Sequence, residues 1–563
     1  MSRYLQWIEK TEEWRDAGHD IHAIGRFLEK YDIVYDSDDH VPDPDAVNEF
    51  ARHAALGDYD LIYCDEDIIR DDERCDPFFK PGYSPDTQRS TGYINGMYAI
   101  RKGVSRELWD LERDRVCHID KVLYHRVRER EDVKKGILPD IRPGLDISVI
   151  ILSKDHPELF RGAYDSLRAS LVGENVQIIL TDNGSSEANR RKYEEICKVG
   201  GIDYAYEPMA FNYSALNNKG AKRAKGEVLI FMNDDIEIPA EEKGILEKLA
   251  AKACEEDCGA VGIKLLYPDL THIQHCGVTI LKSGPSHKLS GYEDGSYYHG
   301  YSDSDINTLA VTGALLAVRK DRFEKAGGFD EKLAVAYNDV DLCLKLYEEG
   351  LYNVCVNSHH LIHYESATRP DDRRDRASYL RLKEEKDLFC KKHEKTLAKG
   401  DPYISGNITG TGLDFDINLP MEYEGSGLSE PSVLKKKVRS RNRIHASMDR
   451  FDYRLSDAYG NEDFYELSGW IFMEGKNCFD KAVVIRTGET CYLVKATAVP
   501  RPDVGEVYKT EKKEKEFGFI ARVSMDVLER IREEREFIAT PVLVSRRGRI
   551  YKGKEECQKK RKI

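Results

Sequence analysis

The segment from Glu227 to Pro239 changes abruptly from apolar to acidic. Residues 228–232 are all apolar, and Asn233, Asp234 and Asp235 follow directly. A short apolar run of this kind predicts a buried strand. Two carboxylates at the end of a buried strand are costly unless a cation meets them. A divalent cation with oxygen ligands would do so and would also bind diphosphate. The alternative is a turn or a helix cap, for which adjacent Asp residues also serve.

The residues before this segment predict alternating strands and helices. The predicted strands are Ile147–Leu152, Val176–Leu180, a weaker one at Tyr204–Tyr206, and Glu227–Met232; the predicted helices are Glu158–Ser170 and Tyr213–Lys225. Such alternation predicts parallel crossovers and a doubly wound sheet, which binds ligands at the carboxyl ends of its strands. Neither a Gly-x-Gly-x-x-Gly nor a Walker-type loop is present, so the sheet is not an obvious dinucleotide or P-loop site.

Several segments resemble, in order, the family 2 glycosyltransferases of the GT-A fold: SVIIL, TDNGSS, FNYSALNNKGAKRAKGEVLIFMNDDIEI, AVTGALLAVRKDRFEKAGGFDE, YNDVDLCLKLYEEG and HYESATR. The resemblance extends from about Asp146 to Asp401 and is strongest to bacterial surface-polysaccharide enzymes, including rhamnosyl-type O-antigen transferases. It implies inverting transfer of a sugar from a nucleotide-diphospho-sugar to a growing polysaccharide or lipid-linked acceptor, with Mg²⁺ or Mn²⁺.

On the donor side, the resemblance gives roles to three carboxylates. Asp182 lies where the family's Asp binds the nucleotide base; the alternative is a plain turn at Asn183–Gly184. Asp235 corresponds to the residue that coordinates the cation bridging the diphosphate, and Asp234 to one near the ribose. The cation would neutralise the leaving group as the sugar–phosphate bond breaks. Asn233 occupies the first position of this motif.

On the acceptor side, the resemblance makes Asp339 the general base that removes the proton from the acceptor hydroxyl. Helical spacing of apolar residues predicts an amphipathic helix from about Asp339 to a C-cap at Gly350. The alternative role for Asp339 is therefore a helix N-cap. Family members usually carry Glu-Asp here, and this chain has Asn-Asp. Asp341 is a supporting carboxylate, and Thr312–Gly313 corresponds to the floor of the acceptor site.

His363, in the sequence His-Tyr-Glu-Ser, corresponds to a position that can supply a third metal ligand. A single His is more often structural, and Mg²⁺ prefers oxygen ligands. Both interpretations stay open at this point.

The first 140 residues repeat part of the later sequence. Ile33–Pro42 parallels Ile230–Pro239, Leu61–Asp67 parallels Val261–Tyr267, and Tyr98–Lys102 parallels Leu316–Lys320. The Asp-Asp pairs lie 196 residues apart and the Arg-Lys pairs 218, so the second copy holds 22 additional residues. Ordered self-similarity indicates an internal duplication.

The first copy has no counterpart of the SVIIL, TDNGSS or Asn-Asp-Val-Asp segments. We therefore expect a partial, non-catalytic GT-A-like half that braces the second copy. Apolar residues such as Leu61, Ile62, Phe78 and Phe79 are expected to pack against the main domain.

The remainder of the chain predicts a small accessory β-sandwich. Short strand-like runs separated by turn residues begin near Phe464, and Trp470 is expected in their core. The expected domains are residues 1–140, a catalytic domain 141–403, a linker 404–445 with a basic stretch at Lys435–Arg443, and the sandwich 446–563. The basic stretch is either solvated surface or a contact for acidic lipid or a diphosphate-linked acceptor.

The composition limits the expected partners and the expected location of the protein in the cell. The net charge of −15 argues against bulk attraction to nucleic acid. Thirteen scattered Cys suit free thiols in a reducing cytosol. The charged start MSRYLQWIEK is unlike a signal peptide, and no run of 18 apolar residues occurs. We expect a cytoplasmic protein, with peripheral contact at the inner face of the cell membrane.

Two other classes of function fit parts of this pattern. A carbohydrate-binding or scaffold protein with a dead transferase domain would be favoured by loss of an acidic residue, but all four key Asp are present. A sugar nucleotidyltransferase would carry a Gly-rich loop after the first strand, where this chain has Ser153–Pro157 without glycine. A retaining GT-A mechanism is chemically open, although the Asn338–Asp339 helix favours inversion.

Overall fold

The computed structural model describes Tyr4, Ile8, Leu528 and residues 20–35, 40–104, 107–127, 136–281, 284–364, 376–408, 412–417, 431–441, 443–454, 464–473, 479–499, 517–524, 536–545, 549–553 and 559–562. These residues divide into two compact units. The first comprises Met1–Leu281 and Pro285–Leu419, and the second comprises Lys282–Gly284 and Pro420–Ile563.

The N-terminal part of the first unit contains a six-stranded sheet. Its strands are β1 (Tyr31–Val34), β2 (His40–Pro42), β3 (Leu61–Arg70), β4 (Glu73–Phe78), β5 (Tyr98–Arg101) and β6 (Val116–Arg126). Its helices are α1 (Ile21–Lys30), α2 (Ala46–Ala54) and α3 (Pro85–Thr91). The strand order is β1-β5-β3-β6-β2, and β4 pairs with β3. Phe27 and Phe50 from the first two helices pack on Ile62 and Leu123 from the sheet.

The central part contains a ten-stranded sheet. Its strands are β7 (Ile147–Ser153), β8 (Val176–Asp182), β9 (Asp203–Tyr206), β10 (Val228–Asn233), β11 (Ile236–Glu237), β12 (Cys258–Leu266), β13 (Ile273–His275), β16 (Ile306–Thr308), β17 (Leu315–Arg319) and β18 (Tyr352–His363). Strands β14 (Val278–Leu281) and β15 (Gly284–His287) pair separately. The order is β11-β18-β12-β17-β10-β7-β8-β9, with β13 beside β12 and β16 beside β18.

Helices cover both faces of this sheet, as the alternating sequence pattern requires. They are α4 (Pro157–Ser170), α5 (Glu187–Gly200), α6 (Tyr213–Arg223), α7 (Ile245–Ala253), α8 (Lys320–Lys325), α9 (Asn338–Glu348), α10 (Arg376–Lys392) and α11 (Glu394–Leu397). Strands β7, β8, β9 and β10 are mutually parallel. The predicted strands and helices of this region are confirmed, with ends shifted by one or two residues.

The strand order of the N-terminal sheet recurs in the central sheet. The series β1-β5-β3-β6-β2 corresponds to β10-β17-β12-β18-β11, with the same relative directions, and β4 and β13 occupy the same side position. Ile33 pairs with Ala99 as Ile230 pairs with Ala317. The architecture is therefore that of a partial repeat.

One detail of the sequence alignment between the copies is wrong by one residue. Ile62 pairs with Ala99, and Val261 pairs with Ala317. The equivalent of Val261 is therefore Ile62 rather than Leu61. A shift of one residue reverses every side chain between the two faces of a sheet, so strand pairing fixes what sequence similarity left ambiguous.

The N-terminal and central parts of the first unit share a buried polar contact. The Lys252 ammonium lies 2.5 Å from an Asp86 carboxylate oxygen, and Asn307 hydrogen-bonds both the Asp86 carboxylate and its backbone N–H. The Tyr298 hydroxyl donates to the Phe79 carbonyl and accepts from the Phe79 N–H. Phe79 thus packs against the central part as expected, whereas Ile62 lies in the N-terminal part's own core.

The second unit consists of two antiparallel-rich sheets. One has the order β19-β24-β23-β27-β28-β20 with β29 beside β27, and the other β21-β22-β26-β25. The strands are β19 (Ser432–Val433), β20 (Val438–Ser440), β21 (Ile444–Arg454), β22 (Phe464–Met473), β23 (Phe479–Thr487), β24 (Thr490–Lys495), β25 (Thr497–Val499), β26 (Gly518–Ser524), β27 (Glu536–Ser545), β28 (Ile550–Lys552) and β29 (Lys559–Lys562). Leu467 and Ile485 are fully buried, but Trp470, expected in the core, is partly exposed.

Part of the expected linker belongs to the first unit. Ile408 is buried in a cluster with Phe79 and Val122 that Phe415 also contacts. Lys435–Lys437, Arg439 and Arg441 of the basic stretch are exposed and lie around β19 and β20 in the second unit. Over the residues placed by the structure, no helix is long and apolar enough to cross a membrane.

Candidate active site

The two carboxylates after β10 lie at the carboxyl edge of the central sheet. Strand β10 runs parallel to β7, and Ser153 at the end of β7 hydrogen-bonds the Asp234 carboxylate and lies 2.7 Å from the Tyr193 hydroxyl. Burial raises the pKa of Asp234 to about 7; the Ser153 hydrogen bond opposes this shift and the neighbouring Asp235 adds to it. The site therefore concentrates negative charge in a buried position, where a cation would stabilise it.

The imidazole of His363 lies next to the Asp235 carboxylate. The His363 Nε2 lies 3.1 Å from Asp235 Oδ1, a buried oxygen that receives no hydrogen bond from the part of the chain that the structure describes. The His363 Nδ1 lies 2.5 Å from the Gln274 side-chain oxygen and Nε2 lies 3.3 Å from the Asn233 side-chain nitrogen, an arrangement in which Nδ1 donates to Gln274 and a neutral ring accepts from Asn233 at Nε2. A carboxylate oriented toward an imidazole whose other nitrogen is fixed by a hydrogen bond is typical of a metal site.

Asp235 and His363 supply only two candidate ligands, which is fewer than a metal ion needs to complete its coordination. Within the described ranges, no group of three or more His, Cys, Asp or Glu side chains is arranged to hold a metal ion. Asp235 and His363 therefore fit a cation whose remaining ligands are diphosphate oxygens and water. Mg²⁺ commonly binds in this way, through one or two protein ligands and substrate phosphates.

Asp182 ends β8, directly beside Ser153 in the neighbouring strand. Its Oδ1 accepts hydrogen bonds from the Ser185 N–H (2.9 Å) and hydroxyl (2.6 Å), and its Oδ2 accepts one from the Tyr204 hydroxyl (2.6 Å). The residue is completely buried. Asp182 therefore orders the loop that follows β8, as the turn interpretation expected.

Asp339 lies in the first turn of α9, beside the Thr312–Gly313 segment. Its Oδ2 accepts from the Gly313 N–H (2.8 Å), and its Oδ1 accepts from the Val340 N–H (2.8 Å). The Gly313 carbonyl in turn accepts from the Tyr213 hydroxyl (2.7 Å). Asp339 is partly exposed, and the residue before the helix is Tyr337, so Asp339 is not the N-cap.

A side chain at position 313 would have to displace the Tyr213 hydroxyl from its present position. A Cβ at this position would lie 2.9 Å from the Tyr213 hydroxyl oxygen and 3.3 Å from the Asp339 Cβ. The Thr312 hydroxyl accepts from the Ala314 N–H (3.3 Å), and the Ala314 carbonyl accepts from the Asn233 N–H (2.9 Å). This last bond links the acceptor-side segment to the strand end that precedes Asp234.

Asp341 does not belong to the same surface. It is completely buried, and its carboxylate pairs with Lys345 (2.8 Å), Lys392 (2.5 Å) and His393 (3.0 Å). Burial alone would raise the pKa of Asp341, but His393 and the two ammonium groups outweigh it and hold the pKa below its usual range. The geometry supports a role in anchoring α9 to α10, and does not support contact with an acceptor.

The site also includes residues that the sequence pattern did not single out. Ser153 could have been found, because a polar residue at the end of an apolar strand lies at the ligand-binding edge. Gln274, Tyr204 and Tyr213 give no local signal. Each acts through a partner at least 22 residues away in sequence, which only the fold brings near.

Comparisons with known proteins agree with this picture. Residues 148–272 match the family model for glycosyl transferase family 2. The O-antigen biosynthesis protein RfbC of Myxococcus xanthus is 30% identical over 414 residues, covering 63% of this chain and 32% of that protein. The uncharacterized protein y4gI of Sinorhizobium fredii is 31% identical over 461 residues, covering 69% of this chain and 50% of that protein. The chain thus spans a third to a half of these relatives' length.

The solved structures that match this chain are more distant in sequence. A mannosyltransferase from Pyrobaculum calidifontis, in complex with GDP-Man and Mn²⁺, is 14% identical, with a TM-score of 0.35 over 46% of this chain and 68% of that chain. TarS of S. aureus is 10% identical, with a TM-score of 0.32 over 73% of this chain and 77% of that chain. The mixed α/β fold expected from the GT-A resemblance, with its partial repeat and β-sandwich, is confirmed by the sheets described above. From β7 to the turn before β13, the chain is similar in sequence to glycosyl transferase family 2.

Proposed function

We propose that the central part of the chain transfers a sugar from a nucleotide-diphospho-sugar to a hydroxyl group of a growing polysaccharide or lipid-linked acceptor in cell-surface glycan synthesis. The observation that carries this proposal is the single sheet edge where Asp234, Asp235 and His363 meet the segment that holds Asp339. The family 2 match over residues 148–272 and the O-antigen relative support the same reaction class.

The donor diphosphate would lie against the Asp235–His363 pair, with Mg²⁺ or Mn²⁺ between them. Asp235 and His363 would hold this cation, and its charge would offset the negative charge that develops on the leaving diphosphate. Asp234, held by Ser153, would face the ribose side. Asp182 would act on the nucleotide base through the loop it orders, because its own carboxylate is buried under the Tyr204 hydroxyl.

Asp339 would serve as the general base. Each of its oxygens accepts one backbone hydrogen bond and keeps a further lone pair. The acceptor hydroxyl gives its proton to one oxygen as its own oxygen attacks the anomeric carbon; the sugar–phosphate bond breaks and the nucleoside diphosphate leaves. A single displacement of this kind inverts the configuration at the anomeric carbon.

The setting would be the cytoplasm, with contact at the inner membrane face. The exposed basic residues Lys435–Lys437, Arg439 and Arg441 flank an edge strand of the sandwich. Basic residues near a membrane surface each contribute about 1 kcal/mol of attraction to acidic lipid. Such a contact would bring the enzyme to a lipid-linked acceptor, which itself carries phosphate.

A thermal-shift panel of nucleotide sugars with Mn²⁺ tests the donor. A ligand that binds only the folded state raises the melting temperature, so the correct donor should raise it only when metal is present. The Asp235→Ala variant is the control and should lose the metal-dependent part of the shift. Failure of every nucleotide sugar to stabilise the wild type would contradict the proposed reaction. Formation of a nucleotide sugar from sugar phosphate and nucleoside triphosphate would instead identify a nucleotidyltransferase.

A further inference from the structure

One residue of the N-terminal part contacts the end of the helix that carries Asp339. The Arg113 guanidinium donates to the backbone carbonyls of Leu351 (3.2 Å) and Gly350 (3.4 Å), just beyond α9. Its carbon lies 4.5 Å from the Tyr347 ring centroid and 4.2 Å from that of Tyr352. The guanidinium is therefore held between two aromatic rings of the central part, at the carbonyl end of the helix.

These contacts stabilise the helix end through three effects. A cation at the C-terminus interacts favourably with the helix dipole. Gly350 adopts a left-handed conformation (φ +92°) and ends the helix, with the Leu351 N–H bonded to the Leu346 carbonyl. The two carbonyls beyond this turn receive their donors from Arg113, and each ring contributes a cation–π contact.

The other end of the same helix carries the proposed base. Asp339 is fixed against Gly313 by a hydrogen bond of 2.8 Å, and α9 spans only Asn338–Glu348. Asp341 anchors the first turn of α9 to α10, so loss of the hold at Gly350 would let the helix tilt about that anchor and move Asp339 relative to the Thr312–Gly313 segment. A misplacement of about 1 Å can cost about 10²-fold in rate.

We propose that Arg113 is a positioning residue for the transfer reaction, through which the N-terminal part fixes the helix that carries Asp339. This role rests on the proposed function of the central part. It makes the N-terminal part a component of the active centre, although it contributes no group that touches a substrate.

The position of Arg113 in the repeat agrees with this role. Arg113 lies in the connection between β5 and β6, and α9 lies in the corresponding connection between β17 and β18. Among the residues that the structure places between β5 and β6, only a short turn at Arg113–Arg115 is helical. The first copy thus has no helix equivalent to α9 there, and its shorter connection contacts the helix of the second copy.

Arg115 provides a matched control. It is two residues from Arg113, carries the same charge, and pairs with Asp58 and Asp60 inside the N-terminal part. Arg115→Ala therefore removes an arginine and its ion pairs without touching α9. Arg113→Lys is the conservative variant, since it keeps the charge over the two rings but cannot donate as a planar fork.

The test measures the steady-state kinetics of transfer, with the donor identified by the thermal-shift panel, together with hydrogen exchange of peptides covering residues 338–349. Arg113→Ala should lower kcat by about 10-fold or more while the KM for the donor stays within about twofold, because the donor side is untouched. Exchange in α9 should become faster. Arg113→Lys should recover part of kcat, and Arg115→Ala should leave kcat and α9 exchange at wild-type values.

Three results would overturn the proposal. The first is a kcat for Arg113→Ala that stays at the wild-type value in folded protein. The second is unchanged exchange in α9. The third is an equal fall in kcat for both variants, which would indicate general destabilisation of the N-terminal part. A wild type that transfers from no donor would contradict the proposed function itself, whereas these three results contradict only the role of Arg113.

Discussion

The two sheets of the first unit share a strand order but differ where the second binds its proposed cation. His40 of β2 pairs with Arg126, and Ile236 of β11 pairs with His363. Arg126 therefore occupies in the first copy the position that His363 occupies in the second. The Arg126 guanidinium donates to the Glu66 carboxylate (2.8 Å). The first copy therefore has a guanidinium, paired with Glu66, at the position where the second copy has the imidazole of His363.

The acidic residues of the two copies also differ in their partners. In β3, Asp65 lies 2.7 Å from His118 and Asp67 lies 2.5 Å from both His125 and Arg74. In the second copy, Asp235 Oδ1 lies 3.1 Å from the His363 Nε2, and no residue described by the structure donates a hydrogen bond to it. An unsatisfied buried carboxylate oxygen needs an explanation such as a bound ligand; Asp65 Oδ2 of the first copy is also unsatisfied among the described residues, so the copies differ in the pairing of their other acidic oxygens.

The largest effect should come from removing the metal ligand of the second copy. Asp235→Ala, or saturating chelator, should lower turnover by about 10³–10⁴-fold, since the cation supplies several kcal/mol of charge stabilisation. Donor binding should weaken as well. The measurement is turnover at increasing Mn²⁺ concentration. Full activity in saturating chelator would remove the proposed distinction between the copies.

Asp339→Asn tests the helix that the first copy lacks. It preserves the shape but removes the proton acceptor, and we expect kcat to fall by about 10³-fold, within the range for a general base. Donor affinity should change little. The surface variant Asp321→Asn, in α8 of the same unit, is the control. Near-normal turnover in Asp339→Asn would leave Asp339 with only its role in ordering the helix and Gly313.

The variant His363→Arg gives the second copy the arginine that the first copy has at the equivalent position, Arg126. The apparent affinity for Mn²⁺ should fall by about 10- to 100-fold, because a cationic side chain replaces a ligand. The reciprocal Arg126→His should leave turnover unchanged, since the first copy is not expected to use a cation. Unchanged Mn²⁺ dependence in His363→Arg would show that His363 is structural.

The smallest effect should come from Asp38 and Asp39, which lie outside the residues described by the structure. The double variant Asp38→Ala, Asp39→Ala should keep kcat within a few-fold of wild type. Its copy has no counterpart of Asp182 or Asp339. Turnover should be compared with that of Asp235→Ala in parallel. A folded double variant without activity would mean that the first copy is a working site.

The sequence predicted the four parallel strands β7, β8, β9 and β10 of the ten-stranded central sheet, because these are short apolar runs separated by helical segments, a pattern that depends only on local residues. The same holds for the placement of Asp182, Asp234 and Asp235 at strand ends. The burial of Asp341 could not be predicted, since it depends on Lys392 and His393, about 50 residues later. The exposure of Trp470 and the register of β3 likewise depend on which strands pair.

The buried contact between Lys252 and Asp86 makes residue 252 an indicator, in the sequence, of an attached N-terminal part. The Lys252 side chain is 1% exposed, and its ammonium is neutralised by a carboxylate from the N-terminal part. A transferase that lacked such a part would keep the Glu255 carboxylate beside this ammonium but would lose the second carboxylate and the residues that bury it. We therefore expect related transferases to keep a basic residue at the position of Lys252 only when they also have an N-terminal part with an acidic residue at the position of Asp86. Position 252 can then be used to recognise, from sequence alone, which members of the family depend on one.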